Sequence, residues 1–167
     1  MEKHRRAQIL DALTELFEPL KEPSEFPLRL KVIQRRYAHW TTLDQQNVIP
    51  CLMLNFDERL RRRDGGANTE FAALGETEEI LPVVCDVVLK ESAEFPKAIT
   101  DQVSDAIYAI ERLINGTPDL GIEGVYRTRV MEVSTSAGRL SALQGTPFEI
   151  VRNHIAVTHI YGSNTSV

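Results

Sequence analysis

The chain has 167 residues, 43% of them apolar and 26% charged; this is the size and balance of one globular domain, which buries about 70% of its unfolded surface and needs no disulfide or metal to fold. Nineteen Lys and Arg against 24 Asp and Glu give a net charge of -5, which argues against a protein whose main task is gripping nucleic-acid phosphates. Cys51 and Cys85 stand far apart and outside any CxxC pair, Asp11, Glu15 and Glu18 interrupt the first apolar stretch, and no segment approaches the apolar length of a membrane helix, so no disulfide framework, cysteine zinc site, signal peptide or membrane helix is expected, and a reducing, aqueous compartment is.

Ile9, Leu10, Leu13, Phe17 and Leu20 recur at three- and four-residue spacing, predicting an amphipathic helix that Pro19, Pro23 and Pro27 stop. Leu30–Trp40 reads as a strand, with Val32 on one face and Ile33 and Tyr37 on the other. A second strand is expected over Val48–Phe56, a short apolar run with Pro50 near its start. Residues 57–78 (DERLRRRDGGANTEFAALGETE) hold no sustained period and contain Gly65-Gly66. They read as a long excursion between neighbouring strands, and a loop of that length in a compact domain is functional or disordered.

Ile80–Lys90 is the clearest strand: Val83, Cys85, Val87 and Leu89 make one apolar face, and Val84, Asp86, Val88 and Lys90 a mixed one. A second helix gathers Ile99, Val103, Ala106, Ile107, Ile110, Leu113 and Ile114 on one side, with Asp101, Gln102, Asp105 and Glu111 opposite. Asn115-Gly116 is expected to cap it in the left-handed conformation, and Pro118 to prevent continuation. Two long strands, about Gly124–Ser136 and Phe148–Tyr161, flank the turn-rich STSAGRLSALQGT, with Val151, Ile155, Val157 and Tyr161 on a shared face. The order α-β-β-β-α-β-β predicts a single α+β domain over 1–167, a largely antiparallel sheet packed by helices.

The chemistry-bearing patterns are thin. No GxxxxGK[ST] or GxGxxG is present, and Gly121-x-x-Gly124 lacks the strand-to-helix context of a phosphate loop. His154 and His159 are an odd number of residues apart on a predicted strand, so they leave opposite faces and share no metal. Cys51 and Cys85 sit in apolar strands, where a thiol is an inert hydrophobe with a raised pKa. No nucleophile elbow occurs. No catalytic, metal or cofactor-binding residue is therefore assigned, and the chain is not expected to be an enzyme. The alternative is a small metal-dependent hydrolase or nuclease around Asp86, although Glu94-Phe-Pro-Lys97 has the wrong spacing for the partner groups. A third reading is an adaptor that binds one partner without forming rings. The local cluster that remains is Arg59, Arg61, Arg62 and Arg63, interleaved with Asp57, Glu58 and Asp64, and followed by Phe71 and Leu74. Mixed charge with a few apolar anchors suits a protein interface better than phosphate binding.

The layout resembles the tail-terminator and tail-completion (neck) proteins of long-tailed bacteriophages. The pieces that carry the resemblance are QILDALTELF, the strands VIPCLMLNF and ILPVVCDVVLK around the long loop, ITDQVSDAIYAIERLING, and FEIVRNHIAVTHIYG. The resemblance implies a structural virion protein with no catalytic residues and no cofactor. Its subunits form a ring, typically of six, that caps the tail tube and joins it to the head-side connector. DNA passes through such a ring without being specifically bound, and the ring is built in the host cytoplasm with no membrane involved. The loop at 57–78 would be an assembly element in that layout, loose in the free subunit and ordered on a neighbour.

Overall fold

The computed structural model describes residues 4–22, 25–57, 76–136 and 147–162, with side chains at 76–78 and 161–162 left aside. Helix α1 runs over Arg5–Phe17 and buries Ile9, Leu13 and Phe17. Pro19 then opens a tighter turn over Glu18–Lys21 that places Leu20 in the same core. Strand β1 is short, Val32–Gln34, and the chain turns at once into helix α2, Trp40–Gln45. Strands β2 (Cys51–Phe56) and β3 (Glu76–Lys90) follow. Helix α3 spans Ile99–Gly116, and strands β4 (Val125–Thr135) and β5 (Phe148–Gly162) complete the order.

The five strands form one sheet in the order β1-β2-β3-β5-β4. β1 and β2 are parallel and every other pair is antiparallel, as expected for an α+β domain of this pattern. The spine is the β3–β5 ribbon, paired without a break from Glu76↔Gly162 to Lys90↔Phe148.

Each face of the sheet follows the alternation of the sequence. On the first face Val83, Cys85, Val87 and Leu89 of β3 join Val151, Ile155 and Val157 of β5 under α1 and α3. On the second face Cys51, Met53, Val88 and Phe148 are covered by Trp40 and Leu43 of α2. The ring centroids of Trp40 and Phe148 lie 5.1 Å apart.

Several expectations are corrected. The strand predicted over Leu30–Trp40 ends at Gln34, because Trp40 and Leu43, three residues apart, anchor a helix onto the second face and His39 caps it at Thr41. Val32 and Ile33 do take opposite faces, but Tyr37 lies beyond the strand and is exposed. The excursion expected to end at 78 ends by 75, because β5 is long enough to pair residues 76–78. Gln102, placed on the solvent side of α3, turns inward and donates to the carbonyls of Lys90 and Lys97. Ile107 and Val103 flank the buried stripe, whose centre is Ala106, Ala109, Ile110 and Ile114.

The predicted left-handed cap at Asn115-Gly116 does not form either. The helix runs through Gly116 to Thr117, and positive φ appears later, at Leu120, Gly121 and Gly124. At Gly124 (φ 81°) a Cβ would lie 2.8 Å from the backbone oxygen of Ile160, and its carbonyl accepts from the Ile160 amide at 2.7 Å. Gly124→Ala therefore meets both a steric and a conformational penalty, expected to cost about 2–3 kcal/mol. A urea midpoint unchanged from the parent chain would contradict this close approach of the α3–β4 turn to β5.

Candidate interaction face

The sequence-predicted residues Arg59, Arg61, Arg62, Arg63, Phe71 and Leu74 lie outside the described residues. What the structure does place are the strands on either side of that segment, β2 and β3. β3 extends beyond β2, whose last paired residue is Phe56, opposite Val83. Among the described residues the second face therefore continues past α2 without a covering helix, built from β3, β5 and β4. Across it run the registers Asp86↔Arg152, Val84↔His154, Pro82↔Ala156 and Ile80↔Thr158, with Arg129 opposite Ala156 and Arg127 opposite Thr158 on β4. Among the described residues no helix packs against this end, and Ile80 is 51% and Tyr37 61% exposed.

Its central polar element is an ion pair that sequence reasoning missed. Asp86 is buried (4% exposed) and receives two parallel bonds from Arg152, Nε to Oδ1 and Nη2 to Oδ2, both 2.8 Å. Such bidentate geometry fixes the guanidinium plane as well as its charge. The Asp86 hydrogen bond raises the Arg152 pKa further; burial opposes it, and Asp86, Tyr37 and Asp57 add to the rise electrostatically. The only sequence signal was a mixed face on each strand. Register alone sets Asp86 directly opposite Arg152.

This pair also weighs against the hydrolase alternative. Both oxygens of Asp86 accept from Arg152, so the charge of this carboxylate is already matched by a cation. Among the described residues no three His, Cys, Asp or Glu side chains converge on a metal position. His154 and His159 do leave opposite faces: His154 lies 3.6 Å from Asp57 on the second face, and His159 lies 3.5 Å from Glu79 on the first. Cys51 and Cys85 are buried free thiols; burial pushes Cys51 up to about 11 and Cys85 well above its ordinary value, so neither is nucleophilic. A shallow groove beside the Glu18–Lys21 turn has charges that pair with one another, Lys31 with Glu94 (2.8 Å) and Lys21 with Glu18 (2.9 Å). No helix among the described residues is long and apolar enough to cross a membrane.

His159 is 1% exposed, beneath the first turn of α1, where Arg6 bonds Glu79 at 3.0 Å. Burial lowers its pKa, Glu79 opposes that shift, and Arg5 and Arg6 add to it. A histidine that is harder to protonate when folded supports the fold fully above its ordinary value near 6.5. That support fades as pH falls through this value, because the unfolded chain then takes the proton more readily. The chain is expected to lose stability from about pH 6.5 downward, and His159→Gln to flatten that part of the profile. Equal slopes for the two proteins between pH 7.5 and about 5 would rule out His159 as the cause.

No protein-family model matches the sequence, and no curated protein matches it. Among solved structures, the chain is similar to one described as the PVC sheath/tube terminator of an extracellular contractile injection system in its extended state, determined by cryo-electron microscopy. That match has a TM-score of 0.37 and 14% identity, covering 98% of this chain and 60% of the other.

Proposed function

We propose that this chain is a structural subunit of a tail-like assembly, forming a ring that caps the tail tube and joins it to the head-side connector. The observation that carries this reading is the element order. A leading helix, two strands separated by a long excursion, an amphipathic helix after the second of them, and a closing pair of long strands occur in the arrangement the terminator resemblance implies. Supporting it is an open sheet face that carries arginines and exposed apolar side chains, a composition suited to protein contacts. Fold alone does not fix a function, so the reading stands on assembly behaviour.

In this reading the ring is hexameric, part of the virion, and assembled in the host cytoplasm, with DNA passing through without specific contacts. Arg59, Arg61, Arg62, Arg63, Phe71 and Leu74 serve as an assembly element. The test is mass in solution, alone and beside a tail-tube protein encoded by a neighbouring gene. A closed ring is expected, since homo-oligomers usually adopt closed symmetry. Strict monomer behaviour in both conditions would sink the proposal, and a one-to-one complex without self-association would favour the adaptor. Replacing residues 61–75 by a short Gly/Ser turn is expected to keep the melting temperature and abolish ring formation, because β2 and β3 still pair over Cys51–Phe56. Normal rings from that variant would remove the loop from the assembly.

A further inference from the structure

We propose that the first turn of α1 is a latch that acid releases: neutral His4 and His159 keep it closed, and protonating them frees the turn from the sheet. The inference stands apart from the ring reading and concerns the first sheet face, on which α1 packs.

The turn lies across His159. Glu79 of β3 and Val125 of β4 are the register partners of His159 on either side. Arg6 reaches the first of them, bonding Glu79 at 3.0 Å. The Arg5 guanidinium comes within 3.5 Å of the Cβ position at Gly124, beside the second. Between these two anchors His159 is 1% exposed. Little else holds the turn down. The buried side chains of α1 begin at Ile9, and residues 4–8 are half-buried or exposed. From Ile9 onward, Leu13 and Phe17 keep the helix on the core.

Charge sets the direction. The charged groups around His159 are Glu79 on β3 and Arg5 and Arg6 on α1, while its β4 neighbour Val125 brings none. Glu79 Oε2 lies 3.5 Å from His159 Nε2, but the other oxygen of that carboxylate bonds Arg6. A proton on His159 leaves one carboxylate among three cations at a site shielded from solvent. Lifting the turn takes both arginines away and admits water, so the protonated ring favours the open form.

His4 acts on the same turn from outside. As N-cap its Nδ1 accepts from the Arg6 amide at 3.3 Å. A protonated ring has no lone pair left at Nδ1, and it sets a positive charge at the positive end of the helix dipole. Two histidines on different elements, one beneath the turn and one capping it, respond to acid in the same sense. In the open turn His159 titrates near its ordinary value of about 6.5; in the closed turn burial, with Arg5 and Arg6, holds it lower. Opening therefore grows as pH falls through about 6.5, and one pH unit below that the open fraction has risen about tenfold.

The test is amide hydrogen exchange of the full chain by NMR at about pH 7.5 and 5.5, read as protection factors so that the intrinsic effect of pH cancels. Trp40 fluorescence is the control: it is the single tryptophan and packs on the second face, so it reports global unfolding and not the latch. Protection of the Gln8, Ile9 and Leu10 amides, whose acceptors lie in the turn, is expected to fall about tenfold at the lower pH. Phe17 protection and Trp40 fluorescence are expected to hold. His159→Gln should remove most of the fall, and His4→Asn, which keeps a neutral cap, part of it. The wild-type His159 ring signals are a second readout that needs no variant, and they should titrate in step with the loss of protection. Constant protection in wild type overturns the latch. So does a loss that spreads evenly to Phe17 with a change in Trp40 fluorescence, which is unfolding of the whole chain. A full fall in the His4→Asn/His159→Gln double variant, or in wild type while the His159 ring stays neutral, overturns the role given to these histidines.

Discussion

Replacing Ile110 by Asp is expected to leave no folded protein, whereas Ile107→Asp should give a soluble, folded chain of reduced stability. Ile110 is fully buried at the centre of the α3 stripe and belongs to the main hydrophobic core. A carboxylate there loses about 2–3 kcal/mol of apolar burial and adds about 3–5 kcal/mol for an unpaired buried charge. The sum is comparable to the whole stability of an ordinary domain, about 5–15 kcal/mol. Ile107 is half-buried at the margin of the same helix, so its replacement can reach water and should cost only about 1–2 kcal/mol. Because Ile110→Asp is not expected in soluble form, the graded measurement is Ile110→Ala against Ile107→Ala in urea. A loss of about 3 kcal/mol is expected for the first and clearly less for the second. Equal losses would show that the helix presents a different face.

Arg152→Met is expected to cost about 2–3 kcal/mol, an effect that Asp86→Leu in the same chain should largely reverse. Removing only the arginine leaves the buried Asp86 carboxylate without a cation, the situation in which a broken ion pair is most destabilising. Replacing both partners by apolar side chains removes the stranded charge, and such swaps are often neutral. The four urea midpoints of the cycle check this. A double variant less stable than Arg152→Met would mean that Asp86 has another charged partner and that the pair is not the unit that holds this face.

The helices and the β3–β5 faces were legible because apolar period reports burial directly. Val83, Cys85, Val87 and Leu89 lie on the core face, as alternation requires. The misreadings occurred where a distant contact overrides local pattern. Trp40 and Leu43 fold into α2 because Phe148, far along the chain, completes their cluster. Gln102 turns inward because carbonyls at Lys90 and Lys97 need a donor, which no local period reveals. Asp86 and Arg152 meet through register between strands separated by the whole of α3 and β4. Of the interaction site, the loop residues were singled out by composition, whereas the open sheet face depends on where α2 stops covering it.

The central position of β5 sets the order in which the chain can fold during synthesis. β4 reaches the rest of the sheet only through β5, although it is made earlier. Until residues 148–162 emerge from the ribosome, β4 has no strand beside it and one edge of β3 stands open along its length. An uncovered edge of that kind invites pairing with other chains. At about 5–20 residues per second, the 57 residues separating β3 from the start of β5 correspond to several seconds of exposure. Completion then couples residues far apart in sequence, the kind of pairing that closes slowly. Chaperone capture of nascent chains stalled before residue 148, released once β5 is clear of the exit tunnel, is the behaviour this topology leads one to expect.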